Sequence, residues 1–134
     1  FNNGVAKNIM TTAVAKCNLS FSDAFVKAIF CNILVCVAVM MALTAERVSG
    51  KIMSLFLPIM VFVISGFEHS VANMSYISGG LFIHLQYGNL GVETAGLTWY
   101  NFLVANLVPV TLGNIVGGLL IGCAYWFIKR DNKQ

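Results

Sequence analysis

Three apolar runs set the frame of the chain. In residues 25–45, FVKAIFCNILVCVAVMMALTA, Lys27 is the only charge. At about 1.5 Å per residue such a run is long enough to cross a hydrocarbon layer of about 30 Å as a helix. The turn ERVSGK over 46–51 carries Arg47 and Lys51, and a second apolar run follows over 52–85. As one helix it would measure about 51 Å, too long for a plain crossing. The third run, 99–128, has no charged residue.

The second run holds GFEHSVANM, residues 66–74, which sets Glu68, His69 and Asn73 inside an otherwise apolar segment. Ionisable groups at such depth are costly and usually mark a substrate path or an internal pair. Gly66 lowers helix propensity there. Irregular backbone at membrane depth survives only where it is buried in protein or lines a cavity. A break at 65–70 is therefore expected, with a half-helix N-terminus whose positive field favours anions.

Residues 1–22 mix Asn2, Asn3, Lys7, Asn8 and Lys16 with Val, Ile and Met; Val5, Ile9, Thr12 and Val14 could give one or two weak amphipathic turns at an interface, but nothing spans, and the stretch reads as a surface loop leading into a helix. Ser20, Ser22 and Asp23 offer N-cap chemistry at the start of the first span. The third span contains NLVPVTLGNIVGG, residues 106–118, where Pro109, Gly113, Gly117 and Gly118 weaken a plain helix. Small residues there permit close helix contact, and Asn106 and Asn114 need partners.

Three spans put the 46–51 turn and the tail on one side. Arg47, Lys51, Lys129, Arg130 and Lys133, five of the 8 basic residues, lie there, so that side is read as cytoplasmic and 1–22 as extracytoplasmic. An odd number of spans suits a duplicated unit whose second copy is inverted. A missing amino-terminal half, in the same protein or as a separate chain, is therefore expected.

Composition sharpens this frame. Of the 134 residues 58% are hydrophobic and 10% charged, far from the quarter of charged residues usual in a soluble domain. The formal charge of +3 is small and gives no case for nucleic acid. Cys17, Cys31, Cys36 and Cys123 show no CxxC pair and no metal spacing, so they are read as small hydrophobes and neither a metal nor a cofactor is expected.

CNILVCVAV (31–39), LPIMVFVISGFEHSVANM (57–74) and NLVPVTLGNIVGG (106–118), in this order and spacing, resemble the formate/nitrite transporter family over its carboxy-terminal half. A likeness to its hydrosulfide channel branch is also present. The resemblance implies a multi-pass protein of a bacterial cytoplasmic membrane. It implies an all-α fold in which the three spans form half of an aquaporin-like, six-span inverted-repeat channel. It further implies a homopentamer with one pore per protomer. It matches His69 to the central pore histidine, Glu68 to its neighbour, and Asn32 and Asn73 to pore-lining or loop-bracing asparagines. Phe62 and Val35 match the outer constriction, and Lys16 the vestibule lysine.

Side-chain chemistry refines these roles. A carboxylate facing an anion path would repel the substrate, so Glu68, with Ser70, is expected to brace the break. Phe62 lies seven residues before His69, which puts both on one helix face if the helix continues that far. The resulting expectation is a channel for small monovalent anions of weak acids: hydrosulfide, formate or nitrite. A proton-coupled anion symporter is the nearby variant. A water or glycerol channel is the rival, although it lacks NPA-type pairs here, and a non-transporting assembly subunit is a third. Hydrolysis by His69, Glu68 and Ser70 is disfavoured, because sequence neighbours on a helix point apart.

Overall fold

The computed structural model describes residues 3–131; Phe1, Asn2, Asn132, Lys133 and Gln134, part of the basic tail among them, lie outside the described residues. The elements are α1 (Asn3–Cys17), α2 (Phe21–Thr44), α3 (Val48–Ile64), α4 (Ser70–Tyr87), a π-helical segment (Asn101–Asn106) and α5 (Leu107–Asp131).

Residues 3–17 are helix, which corrects the loop expected there. The stripe that folds α1 is Ala6, Met10, Ala13 and Cys17, all buried. Their spacing of four, three and four is that of one helix face. Two alanines and a cysteine carry little hydropathy, so the stripe is faint in the sequence. The face packs on α4 beside Ile77 and Leu81. Any Cβ at Gly80 would collide with that of Ala13, so glycine is what lets these two helices touch.

Helix α2 begins at Phe21, four residues before the apolar run, because Ser20 caps it: the Ser20 Oγ accepts from the Asp23 N–H at 3.1 Å. It packs along both α3 and α5. Against α5 the approach is closest at Gly113 and Gly117, where an added Cβ would strike the Phe25 and Ile29 carbonyl oxygens. Four residues apart, these glycines form one small-residue seam for the neighbouring backbone. The same glycines had suggested an interrupted third span, yet the segment stays helical. Pro109 is accommodated because the chain is π-helical just before it, with the Leu107 N–H reaching back to the Phe102 carbonyl.

Gly117→Val is expected to overpack the α2–α5 seam and cost about 1–3 kcal/mol. Thermal unfolding in detergent checks this, with Gly122→Val, where a Cβ meets nothing within 4 Å, as the neutral comparison.

Two helical stretches, Phe21–Thr44 and Asn101–Arg130, are long and apolar enough to cross a membrane. Between them the chain makes two helices instead of one: α3 stops at Ile64 and α4 starts at Ser70, with residues 65–69 not helical. No side chain of α3 is buried. Large apolar groups face outward, Leu43 at 79% and Ile64 at 77% exposure, while Glu68, Asn73, Asn106 and Asn114 are all below 9%. Polar side chains buried within an otherwise apolar interior, under an exterior of large apolar groups, are the reverse of a water-soluble surface and suit a lipid or protein surround.

Candidate functional site

The break is built by the backbone first. The Ser65 and Gly66 N–H groups donate to the Val61 and Val63 carbonyls at 2.9 and 3.1 Å, and the Phe67 N–H reaches the Phe62 carbonyl at 3.1 Å. Gly66 adopts φ +64, the left-handed region that only glycine enters at little cost. The chain then runs extended through His69, φ −115 and ψ 122, into α4.

Glu68 turns away from the break into the protein. Its Oε1 accepts from Lys16 Nζ at 2.7 Å, with side-chain exposures of 3% and 15%. Its Oε2 accepts from Asn73 Nδ2, which also donates to Asn106 Oδ1 at 2.8 Å. Asn106 Nδ2 in turn donates to the Lys16 carbonyl at 2.9 Å. The circuit opens and closes on Lys16, and it ties α1, the break, α4 and the π-helical segment together. Asn73 spends both amide protons in it, which fixes its orientation and leaves Oδ1 buried with no partner among the described residues.

A second tie comes from Asn114 on α5. Its Nδ2 donates to the Ala28 and Glu68 carbonyls at 2.9 and 3.1 Å, and its Oδ1 accepts from the Ser70 N–H at 3.0 Å. Asn32 Nδ2 donates to the Asn114 carbonyl. One side chain thus holds α2 and the α4 edge of the break.

These ties leave a cavity of about 340 Å³ in front of the break, lined among others by Lys16, Phe62, Gly66, His69, Asn73 and Tyr76. The Phe62 and His69 rings lie 6.2 Å apart at 29°. Lys16 Nζ sits 5.9 Å from the Tyr76 ring centroid. His69 occupies the N-cap position of α4 but makes no side-chain capping bond; the cap comes instead from Asn114, whose Oδ1 accepts from the Ser70 N–H. The His69 Nδ1 is buried and has no partner among the described residues. The place can therefore favour an anion through the Lys16 ammonium, which it would share with Glu68, and an imidazole, at a helix start and beside an aromatic wall.

The structure brings together Lys16, Phe62, His69 and Asn73. Glu68 stands as a brace, and Ser70 contributes its backbone N–H. Asn32 and Val35 are half-buried on α2 and do not line this cavity; Asn32 spends an amide proton on α5. Lys16 is paired and mostly buried, not a free vestibule charge. Asn106 and Asn114 were legible only as intramembrane asparagines in need of partners. Tyr76 had no sequence signal beyond its place one turn after Asn73.

Against known proteins, the sequence profile described as Formate/nitrite transporter matches residues 1–127. The chain is 44% identical over 125 residues to the probable formate transporter of Methanothermobacter thermautotrophicus, covering 92% of this chain and 41% of that protein. It is 39% identical over 137 residues to the formate channel FocA of Escherichia coli K12, covering 95% and 48%. Among solved structures, a pentameric formate channel with formate bound superposes with a TM-score of 0.86 at 40% identity, over 96% of this chain and 54% of that one. An FNT family ion channel gives 0.75 at 31%, over 90% and 45%. The chain thus spans about half the length of these relatives. On this agreement of profile, sequence and fold, the chain belongs to the formate/nitrite transporter family.

Proposed function

We propose that this chain forms the carboxy-terminal half of a channel for small monovalent anions of weak acids, with formate the first substrate to test. The observation that carries the reading is the cavity at the helix break. It gathers Lys16, His69 and the start of α4 beside Phe62, while Glu68, the carboxylate that would repel an anion, is turned onto Lys16 and Asn73. The formate-bound relative supports formate over nitrite or hydrosulfide.

In this reading α3 and α4 act as one broken span between two continuous ones. An amino-terminal half, covalently joined or separate, supplies the inverted counterpart, and five such units assemble. The basic turn at 46–51 and the tail face the cytoplasm. Lys16 and the N-terminus of α4 draw the anion in, and Phe62 forms part of a narrow dry wall that penalises large or strongly hydrated ions. Beyond it His69 meets the anion. A bare anion is heavily penalised in an apolar constriction, whereas the protonated acid is neutral and small. In this reading His69 lends or withdraws that proton.

Formate flux into liposomes holding the complete channel, compared with osmotic water flux, tests the reading; water permeation without anion flux would overturn it. His69→Phe is expected to flatten the pH dependence of flux. The other titratable groups at the cavity are Lys16 and Tyr76, with Glu68 behind Lys16. An unchanged pH profile would remove His69 from any proton transfer.

A further inference from the structure

Behind the Lys16–Glu68 pair lies a second cavity of about 350 Å³, lined by Thr11, Thr12, Lys16, Lys27, Gly66 and Glu68 among others. It shares Thr12, Lys16 and Gly66 with the cavity in front of His69, so the two meet at one thin wall. Its charges do not balance. The Lys16 ammonium is matched by the Glu68 carboxylate at 2.7 Å, whereas Lys27, half-buried on α2, makes no ion pair among the described residues. The Thr11 and Thr12 hydroxyls donate back to the Lys7 and Asn8 carbonyls, both at 2.9 Å, so neither spends its proton on a guest. What remains is one uncompensated ammonium in a shallow cleft lined mostly by polar side chains, where its field reaches a small anion and is screened by salt.

We infer that Lys27 and this cleft form an anion-loading site beside the pore, which holds a small singly charged oxyanion before it passes Lys16 and Gly66 into the cavity at His69. The inference rests on the channel reading above. It adds a second cation that acts in series with Lys16 and is not engaged by Glu68. The same chemistry could be met by a phosphate of an anionic lipid, and the arrangement favours the permeant anion because the cleft abuts the break itself.

The test is formate uptake by the complete channel in liposomes of zwitterionic lipid at low ionic strength. Lys27→Gln is expected to raise the formate concentration for half-maximal flux about threefold, with the maximal rate unchanged and the difference vanishing at high salt. Lys27→Arg is expected to keep the unmutated value. Lys7→Gln, a charge removed from an exposed position of α1 outside the cleft, is expected to leave the half-maximal concentration where it was. An unaltered half-maximal concentration in Lys27→Gln overturns the inference, as does an equal rise in Lys7→Gln, which would mean general surface charge. An effect seen only when anionic lipid is present also overturns it, and assigns the cleft to a headgroup. If the unmutated channel carries no formate, the channel reading fails; if it does and Lys27→Gln matches it, only the loading site fails.

Discussion

Asn114→Leu is expected to lower formate flux about tenfold or more while leaving helix content intact. Leucine is close in volume but removes three side-chain hydrogen bonds at once: those to the Ala28 and Glu68 carbonyls and the one from the Ser70 N–H. Asn114 is 8% exposed, so little water can replace them. Each buried group left unsatisfied costs about 1–3 kcal/mol. A shift of about 1.4 kcal/mol in the population of the intact break is already tenfold. The loss should fall on the break, since α2 and α5 remain held at Gly113 and Gly117. Flux assays paired with far-UV circular dichroism separate the two: normal helix content with lost flux is the expected result, and unimpaired flux would show that the break holds without this tie. Asn32→Leu offers the comparison. It removes a single donor to the Asn114 carbonyl, so it should weaken flux less and leave the preference among formate, nitrite and hydrosulfide unchanged. A changed preference would mean that Asn32 touches the permeant anion after all.

The break was legible because two independent signals coincide there: an apolar run too long for one crossing, and Glu68 and His69, which lipid does not tolerate unaided, beside Gly66 with its low helix propensity. The partners of those residues were not. Lys16 and Glu68 are 52 positions apart, and nothing local joins them. Residues 3–17 escaped for a different reason. Val5, Ile9, Thr12 and Val14 draw the eye, yet Val5 and Thr12 are exposed, and the face that packs is Ala6, Met10, Ala13 and Cys17. In lipid the contact stripe is small instead of greasy, so a reading tuned to hydropathy looks at the wrong face. The glycines of α5 were legible in one respect only: small residues there pointed to close helix contact, which Gly113 and Gly117 make against α2, but the helix they were expected to weaken runs on unbroken.

The pairing of Lys16 with Glu68 changes what a mutation of the lysine means. Lys16→Met alone should be strongly destabilising, by about 3–5 kcal/mol, because it strands a buried carboxylate; Glu68→Met should do similar harm by stranding the ammonium. The double variant Lys16→Met, Glu68→Met removes both charges together and replaces them with flexible side chains that fill the space. Its stability is expected to recover to within about 1–2 kcal/mol of the unmutated protein, since exchanging a whole buried pair for apolar groups is often nearly neutral. Anion entry should not recover, because the cation that faces the Tyr76 side of the cavity is gone. Unfolding midpoints and low-salt formate flux, measured on all four members of this cycle, decide between two roles. Recovery of both would make Lys16 only the counter-ion of Glu68. Recovery of stability alone would make the lysine serve two anions, one fixed in the protein and one passing through, with the closed circuit of Asn73 and Asn106 holding it between them.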